Sequence, residues 1–159
     1  MPKISSADLW DQHGAHLHCV DPIFQSFGLK DSFHGAITTL KLYEDNSMVR
    51  EELAKNGKGK VLVIDGGGSL RCALVGDQLA QLAMDNQWEG LLVFGCIRDA
   101  ALINKMDIGI RAINTCPVKS IKKNQGEKDI IVKFAATTFT PGHYLYADAD
   151  GILTSQQFY

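Results

Sequence analysis

The 159-residue chain carries 16 Lys and Arg against 18 Asp and Glu, a formal net charge of -2, and so lacks the clustered positive charge that nucleic-acid binding needs. Hydrophobic residues make up 45% and charged residues 21%, which excludes the disordered regime and supplies one core for a single domain over 1–159. No apolar run reaches the roughly 18 residues that cross a bilayer, and "MPKISSADLWDQHG" has no apolar signal core, so a cytoplasmic protein without a membrane partner is expected.

The first element, "SSADLWDQHG", reads as a short helix with a Ser cap, an acid in its first turn and a closing Gly. "FHGAITTLKLY" (33–43) is rich in branched residues and predicts a strand, followed by a helix over "NSMVREELAK" and a tight loop at "AKNGKGK". "VLVID" (61–65) is a short apolar run stopped by Gly66, Gly67 and Gly68, the pattern of a strand buried on both faces of a parallel sheet. Leu79, Leu82 and Ala83 recur at helical spacing, so a helix starts near Asp77. "GLLVFG" (90–95) is a second buried strand, Leu102, Ile103 and Met106 mark a helix starting near Asp99, and "IGIRAIN" (108–114) is a third strand. Two successive βαβ units predict parallel strands. The basic run "KSIKKNQGEK" (119–128), interrupted by Gln and Glu, reads as a solvated loop. Beyond it, "DIIVKFAATTFTPGHYLYADADGILTS" is punctuated by turns and predicts antiparallel β structure. The fold class is therefore α/β, with a mixed sheet of parallel βαβ units and antiparallel C-terminal strands.

Ligands of parallel α/β sheets bind outside the carboxyl ends of the strands, where helix starts present unpaired N–H groups. Gly76, Asp77, Gln78 and Leu79 open one such helix, and Arg98 and Asp99 join a strand to the next. Successive amides at 77–79 can hold a carboxylate, Arg98 offers a fork that matches one bidentately, and Asp99 can contact a divalent cation. Together they describe a site for a small 2-keto acid on a metal. Two plainer readings compete: Asp77 and Asp99 can be simple helix caps, and Arg98 their ion-pair partner.

Other candidates are weaker. "GGGS" fails the GxGxxG pattern because Arg71 stands where the third glycine belongs, and no GK[ST] follows, so a nucleotide-binding or methyltransferase loop is not signalled. Arg71 reads as a surface residue. His13, His16 and His18 lack an HExxH frame, and His143 reads as exposed in "TPGHY". Cys19, Cys72, Cys96 and Cys116 form no CxxC and read as small buried thiols.

The strings "SADLWDQHG", "DPIFQSFG", "VLVIDGGGSLRCALVGDQLA", "WEGLLVFGCIRD", "MDIGIRA" and "PGHYLYADADGILTS" closely resemble the RraA-like family over nearly the whole chain. That family includes regulators of ribonuclease E and the class II 4-hydroxy-4-methyl-2-oxoglutarate/4-carboxy-4-hydroxy-2-oxoadipate aldolases. Its aldolases carry an acid, twenty intervening residues and then Arg-Asp; here Asp77 and Arg98 enclose twenty residues and Asp99 follows. The resemblance implies a swivelling β/β/α fold and a homotrimer or dimer of trimers with the site between subunits. It implies that Gly76, Asp77, Gln78, Leu79 and Arg98 bind the pyruvoyl part of the substrate. Asp99 would hold Mg²⁺ or Mn²⁺, partly through water that Asp77 orders, so that Asp77, Arg98 and Asp99 are the expected catalytic residues. Because oxaloacetate yields the same enolate, a decarboxylase side activity is expected. The regulators without aldolase activity lack the acid after the arginine, which directs the expectation here toward the enzyme, with ribonuclease E binding as the alternative. Some family aldolases have a C-terminal extension that supplies a further acid, whereas this sequence ends at Tyr159, so weaker turnover or a different preferred substrate is expected.

Overall fold

A computed structural model describes residues 3–159; the first two residues of the expected 1–159 domain lie outside the described residues. Helix α1 (Ser6–His13) is capped by Ser5, whose hydroxyl accepts from the Asp8 amide, and Gly14 ends it, as the sequence predicts. A 3₁₀ turn leads to the short strands β1 (Leu17–Cys19) and β2 (Gln25–Phe27), followed by β3 (Phe33–Lys41), α2 (Ser47–Leu53) and β4 (Lys60–Asp65). Then come β5 (Ala73–Val75), α3 (Asp77–Asp85), β6 (Gly90–Ile97), α4 (Ala100–Ile103) and β7 (Ile110–Thr115). The chain closes with β8 (Glu127–Lys128), β9 (Val132–Phe134), β10 (Thr137–Phe139), β11 (Tyr144–Ala147) and β12 (Ile152–Ser155).

Ten strands form one mixed sheet along β1-β12-β11-β3-β4-β6-β7-β2, with β5 added on β6 and β8 on β3. The centre is parallel, β3 with β4, β4 with β6 and β6 with β7, while β11, β12, β1 and β2 join antiparallel. The predicted mixed sheet, with parallel βαβ units and antiparallel C-terminal strands, is what forms. The strands β1, β2, β5 and β8 were not foreseen, because two or three residues carry no readable period.

The pleat explains why the central strands are apolar on both sides. On β4, Leu62 and Ile64 join the core under the helices with Leu53, Leu79 and Ile103, while Val61 and Val63 face the other way. That second face packs on the β9–β10 hairpin through Val132, Phe134 and Phe139. Each fully buried aliphatic side chain in these layers stabilises the fold by about 1.5–3 kcal/mol relative to exposure. Arg111, on β7, is buried at the sheet, with its guanidinium donating to the carbonyls of Asp31 (2.7 Å) and Asp148 (3.3 Å). Asp148, in turn, accepts from the Ser6 amide (2.6 Å) and hydroxyl (2.7 Å), tying α1 to the β11–β12 turn. No helix among the described residues is long and apolar enough to cross a membrane.

Candidate functional site

The parallel strands β3, β5 and β6 end at the same edge, where α2, α3 and α4 begin, so these helix starts converge on one rim. A cleft of about 520 Å³ opens there, within the usual size of small-molecule sites. Its lining combines Gly76, Asp77, Gln78 and Leu79 with Arg98 and Asp99. The two ends that the sequence placed at neighbouring βα units therefore share one cavity.

Gly76 is the N-cap of α3 and offers no side-chain bond to it. Its lack of a side chain leaves room for Asp99: a Cβ there would lie 2.8 Å from Asp99 Oδ2 and would push that carboxylate aside. That same Oδ2 accepts from the Asp77 amide at 3.1 Å, so Asp99 caps α3, the helix before its own. At its own helix α4 it occupies the N-cap position without making a cap bond. Neither acid is thus the simple cap that the plainer reading proposed; Asp77 bonds through its amide, and its carboxylate has no hydrogen-bond partner among the described residues. The amides of Gln78 and Leu79 likewise have no acceptor among the described residues and face an anion-favouring helix start.

Asp99 holds φ 57° and ψ 37°, the left-handed region, which costs a non-glycine residue roughly 1 kcal/mol and which Asp tolerates better than most. Strain of this kind persists where surrounding contacts fix it, and it clusters at functional sites. Here it aims Oδ2 at α3 and leaves Oδ1 without a partner among the described residues.

Arg98 is half-buried, and its amide donates to the Val75 carbonyl at 2.9 Å, fastening β6 to the end of β5. Its guanidinium makes no ion pair and no hydrogen bond among the described residues, so the ion-pair reading is not what the structure shows. A half-buried fork of donors with no protein partner suits a bound carboxylate.

The run at 119–128 is exposed at every residue except Ser120, as the expected solvated loop would be, and its first residues also border the cleft. Ser120 is buried, and Lys119, Ile121 and Lys122 line the cleft together with Asn46, the N-cap of α2, and Arg50 in the last turn of that helix. Asp45 holds the loop in place by accepting from the amides of Lys123 (2.9 Å) and Gln125 (3.0 Å), while Ser47 donates to it through amide and hydroxyl. Ser120 completes the link by donating to Asn46 Oδ1 at 2.7 Å. Basic composition alone could not show this, because the carboxylate that fixes the loop stands about 80 residues earlier in the chain.

Burial pushes the Asp45 carboxyl up, but the bonds from Ser47, Gln125 and Lys123 outweigh it and bring it down to about 2, from an ordinary 3.8. A lowered folded-state value means stability that is present above pH 3.8 and is lost as pH falls through about 2. Thermal unfolding of wild type and Asp45→Asn should therefore show a gap in Tm at pH 6 that narrows between pH 4 and pH 2. A gap unchanged across that window would remove Asp45 as the anchor.

The remaining candidates lie apart from the site. The amides of Gly66 and Gly68 both donate to the Phe94 carbonyl and that of Gly67 to Asp65, so the glycine loop has spent the donors a phosphate would need. Arg71 is exposed, as expected, and pairs with Glu44. His13 stacks on Tyr159, His18 contacts the Ala136 carbonyl at 2.8 Å, and His143 is half-buried rather than exposed. Cys72, Cys96 and Cys116 are buried, and burial pushes the thiols of Cys72 and Cys96 up; Cys19, against expectation, is exposed.

Among the described residues, no three or more His, Cys, Asp or Glu side chains gather to hold a metal by themselves, which rules out a closed four-ligand protein site there. The hard-oxygen donors at the rim, Asp99 with a free Oδ1 and Asp77 close by, fit instead a cation that keeps waters and takes substrate oxygens, as Mg²⁺ does.

The RraA-like family model, described as Aldolase/RraA, matches residues 4–154. The chain is 61% identical over 142 residues to a protein of Dechloromonas aromatica, covering 89% of this chain and 87% of the relative. It is 53% identical over 154 residues to one of Aromatoleum aromaticum, covering 97% of each. Both relatives bear the provisional name 4-hydroxy-4-methyl-2-oxoglutarate aldolase. Among solved structures, a protein named S-adenosylmethionine:2-dimethylmenaquinone methyltransferase from Geobacillus kaustophilus superposes with a TM-score of 0.95 at 46% identity, covering 98% of this chain and 96% of that one. The RNA-processing inhibitor RraA from Thermus thermophilis gives 0.94 at 38% identity, covering 98% and 94%.

Proposed function

The chain belongs to the RraA-like, Aldolase/RraA family, and on that premise we propose that it is a divalent-metal-dependent class II aldolase. Its substrate is 4-hydroxy-4-methyl-2-oxoglutarate, cleaved to pyruvate, with oxaloacetate decarboxylation as a side activity. The observation that carries the reading is the unpaired Arg98 fork beside Asp99, next to the free amides of Gln78 and Leu79.

Each residue then has a task. Arg98 and the α3 amides hold the C1 carboxylate, which fixes the bond to be broken relative to the site. Asp99, whose Oδ2 accepts from the Asp77 amide, would hold Mg²⁺ or Mn²⁺ through its other carboxylate oxygen. A cation held there would supply Lewis-acid stabilisation of the negative charge that develops on the keto oxygen. The C4 hydroxyl loses its proton to a water ordered by Asp77, the C3–C4 bond breaks, and its electron pair forms pyruvate enolate, which is protonated at C3. Decarboxylation of oxaloacetate needs the same stabilisation of the same enolate.

The test is a lactate dehydrogenase-coupled assay for pyruvate from both substrates, with Mg²⁺ or with EDTA, after subtraction of spontaneous decarboxylation. Turnover with Mg²⁺ that EDTA abolishes is expected; no pyruvate from either substrate would overturn the reading. A homotrimer or dimer of trimers in the cytoplasm goes with it, supported by exposed Leu70, Val118 and Ile121 and checked by sedimentation.

The likeness to the Thermus inhibitor favours a second reading, a regulator that binds and inhibits ribonuclease E without catalysis. The net charge of -2 supports a protein partner rather than RNA. Failure to retain the nuclease at micromolar concentration would dismiss it. Methyl transfer gains no support, because the glycine loop has its amides engaged.

A further inference from the structure

A second cavity, of about 420 Å³, adjoins the cleft, and the two share Asp77 and Gln78 in their walls. Beyond those residues it is lined by Gln81, one turn further along α3, and by Leu102 of α4 and Met106 just after that helix. Leu102 is 54% exposed, and Met106 is half-buried against the core under the helices. An exposed leucine by itself is ordinary. This one stands with a methionine at the margin of a polar cleft, and among the described residues no charged side chain other than Asp77 lines the cavity they share. Gln81 donates from its side-chain amide to Asp85 at 2.8 Å, so what the far wall offers a ligand is chiefly carbon and sulfur.

We infer that this apolar shelf receives the alkyl substituent on C4 of the substrate, and that Leu102 and Met106 extend the accepted substrates to 4-hydroxy-2-keto acids whose C4 side chain is longer than methyl. The inference rests on the aldolase reading. There Arg98 and the α3 amides hold C1, and the water at Asp77 takes the proton of the C4 hydroxyl, so C4 lies beside Asp77. A chain that leaves C4 past Asp77 enters the second cavity, because Asp77 is a wall of both. An alkyl group there covers Leu102, and removal of apolar surface from water favours longer chains, by about fourfold per methylene when burial is complete and about twofold on an open shelf. The bond chemistry is unchanged. The C3–C4 bond breaks, its electron pair forms the pyruvate enolate, which is protonated at C3, and the C4 fragment, having lost its hydroxyl proton, leaves as a 2-keto acid that keeps the side chain. From 4-hydroxy-4-propyl-2-oxoglutarate the products are pyruvate and 2-oxopentanoate.

The experiment compares kcat/KM for the 4-methyl, 4-ethyl and 4-propyl forms of 4-hydroxy-2-oxoglutarate with Mg²⁺, in wild type, Leu102→Ser and Leu102→Met, with pyruvate resolved from the second keto acid by chromatography. Wild type should gain about twofold per added methylene, hence about fourfold from methyl to propyl. Leu102→Ser should flatten the series, and Leu102→Met should keep it. Leu102 is exposed, so both variants should fold as wild type does. A wild-type series that is level or falls with chain length overturns the inference and leaves the aldolase reading standing; a rise that Leu102→Ser leaves intact overturns it too. Calorimetry with Mg²⁺ gives a readout independent of turnover, using 2-oxobutyrate, 2-oxopentanoate and 2-oxohexanoate, whose chains leave C3 in the direction of C4. Kd should fall about twofold per methylene in wild type and stay level in Leu102→Ser. That gradient without pyruvate release from any substrate would keep the shelf as a ligand site and remove the aldolase reading. A Kd that does not change along the series in wild type would overturn the inference whatever the turnover.

Discussion

Asp99→Ala is expected to abolish metal-dependent pyruvate release, with kcat falling by about 10³-fold and added Mg²⁺ giving no rescue. The substitution removes the one carboxylate oxygen at the rim that is both oriented and free to take a cation. It also removes the acceptor of the Asp77 amide and places Ala in the left-handed backbone region that Asp tolerates, so some stability goes with the activity. Asp99→Asn separates the two effects. Asn keeps an oxygen for the Asp77 amide and suits a φ of 57°, but it offers the cation a neutral donor. The expected result is a Tm close to wild type for Asp99→Asn, a fall of about 2–4 °C for Asp99→Ala, and loss of turnover in both. If either variant kept more than a tenth of wild-type activity, Asp99 would be a structural cap and the metal would have to be held elsewhere.

The site was legible in the sequence to the extent that it lies on βα junctions. Continuous apolar runs as short as "VLVID" and "GLLVFG", bounded by glycines, fit strands buried on both faces, and such strands run parallel and lead into helices. Arg98 and Asp99 stand at the end of one such strand, whereas Asp77 follows β5, a three-residue strand with no readable period; the helix start at Asp77 and the βαβ order were enough to put all three on one rim. Their bonding did not follow. Spacing suggested that each acid caps the helix it opens, whereas Asp99 caps its neighbour, a relation that depends on how β5 and β6 lie side by side. The second half of the cleft was invisible for the same reason. Lys119 and Lys122 become cavity residues because Asp45, Asn46 and Ser120 bond across some 75 to 80 residues of sequence, and a local window sees only a basic, polar stretch. The helix starting near Asp99 was correctly placed, yet it is a single turn, Ala100–Ile103, with only Ile103 buried.

Arg98→Lys is the sharpest test of what holds the substrate. Lysine keeps the positive charge but replaces a planar fork by a single ammonium, so it preserves attraction and loses bidentate orientation. If Arg98 served only as a charge for the fold, the exchange would be nearly silent; the structure argues otherwise, because the guanidinium meets no carboxylate among the described residues. The contact that the fold does take from this residue is the amide bond to the Val75 carbonyl, which Lys retains, so Tm should stay within about 2 °C of wild type. Catalysis should respond strongly. Loss of one charge-assisted bond and the resulting misplacement of the C3–C4 bond together lower kcat/KM by about 10²-fold for Lys and by 10³-fold or about that for Ala, with kcat falling as well as KM rising. Both substrates should be affected alike, since Arg98 is assigned to the C1 carboxylate that oxaloacetate and 4-hydroxy-4-methyl-2-oxoglutarate share. A Lys variant with unchanged kcat would mean that the C1 carboxylate is oriented by the amides of Gln78 and Leu79 alone, and that Arg98 adds only long-range attraction to the cleft.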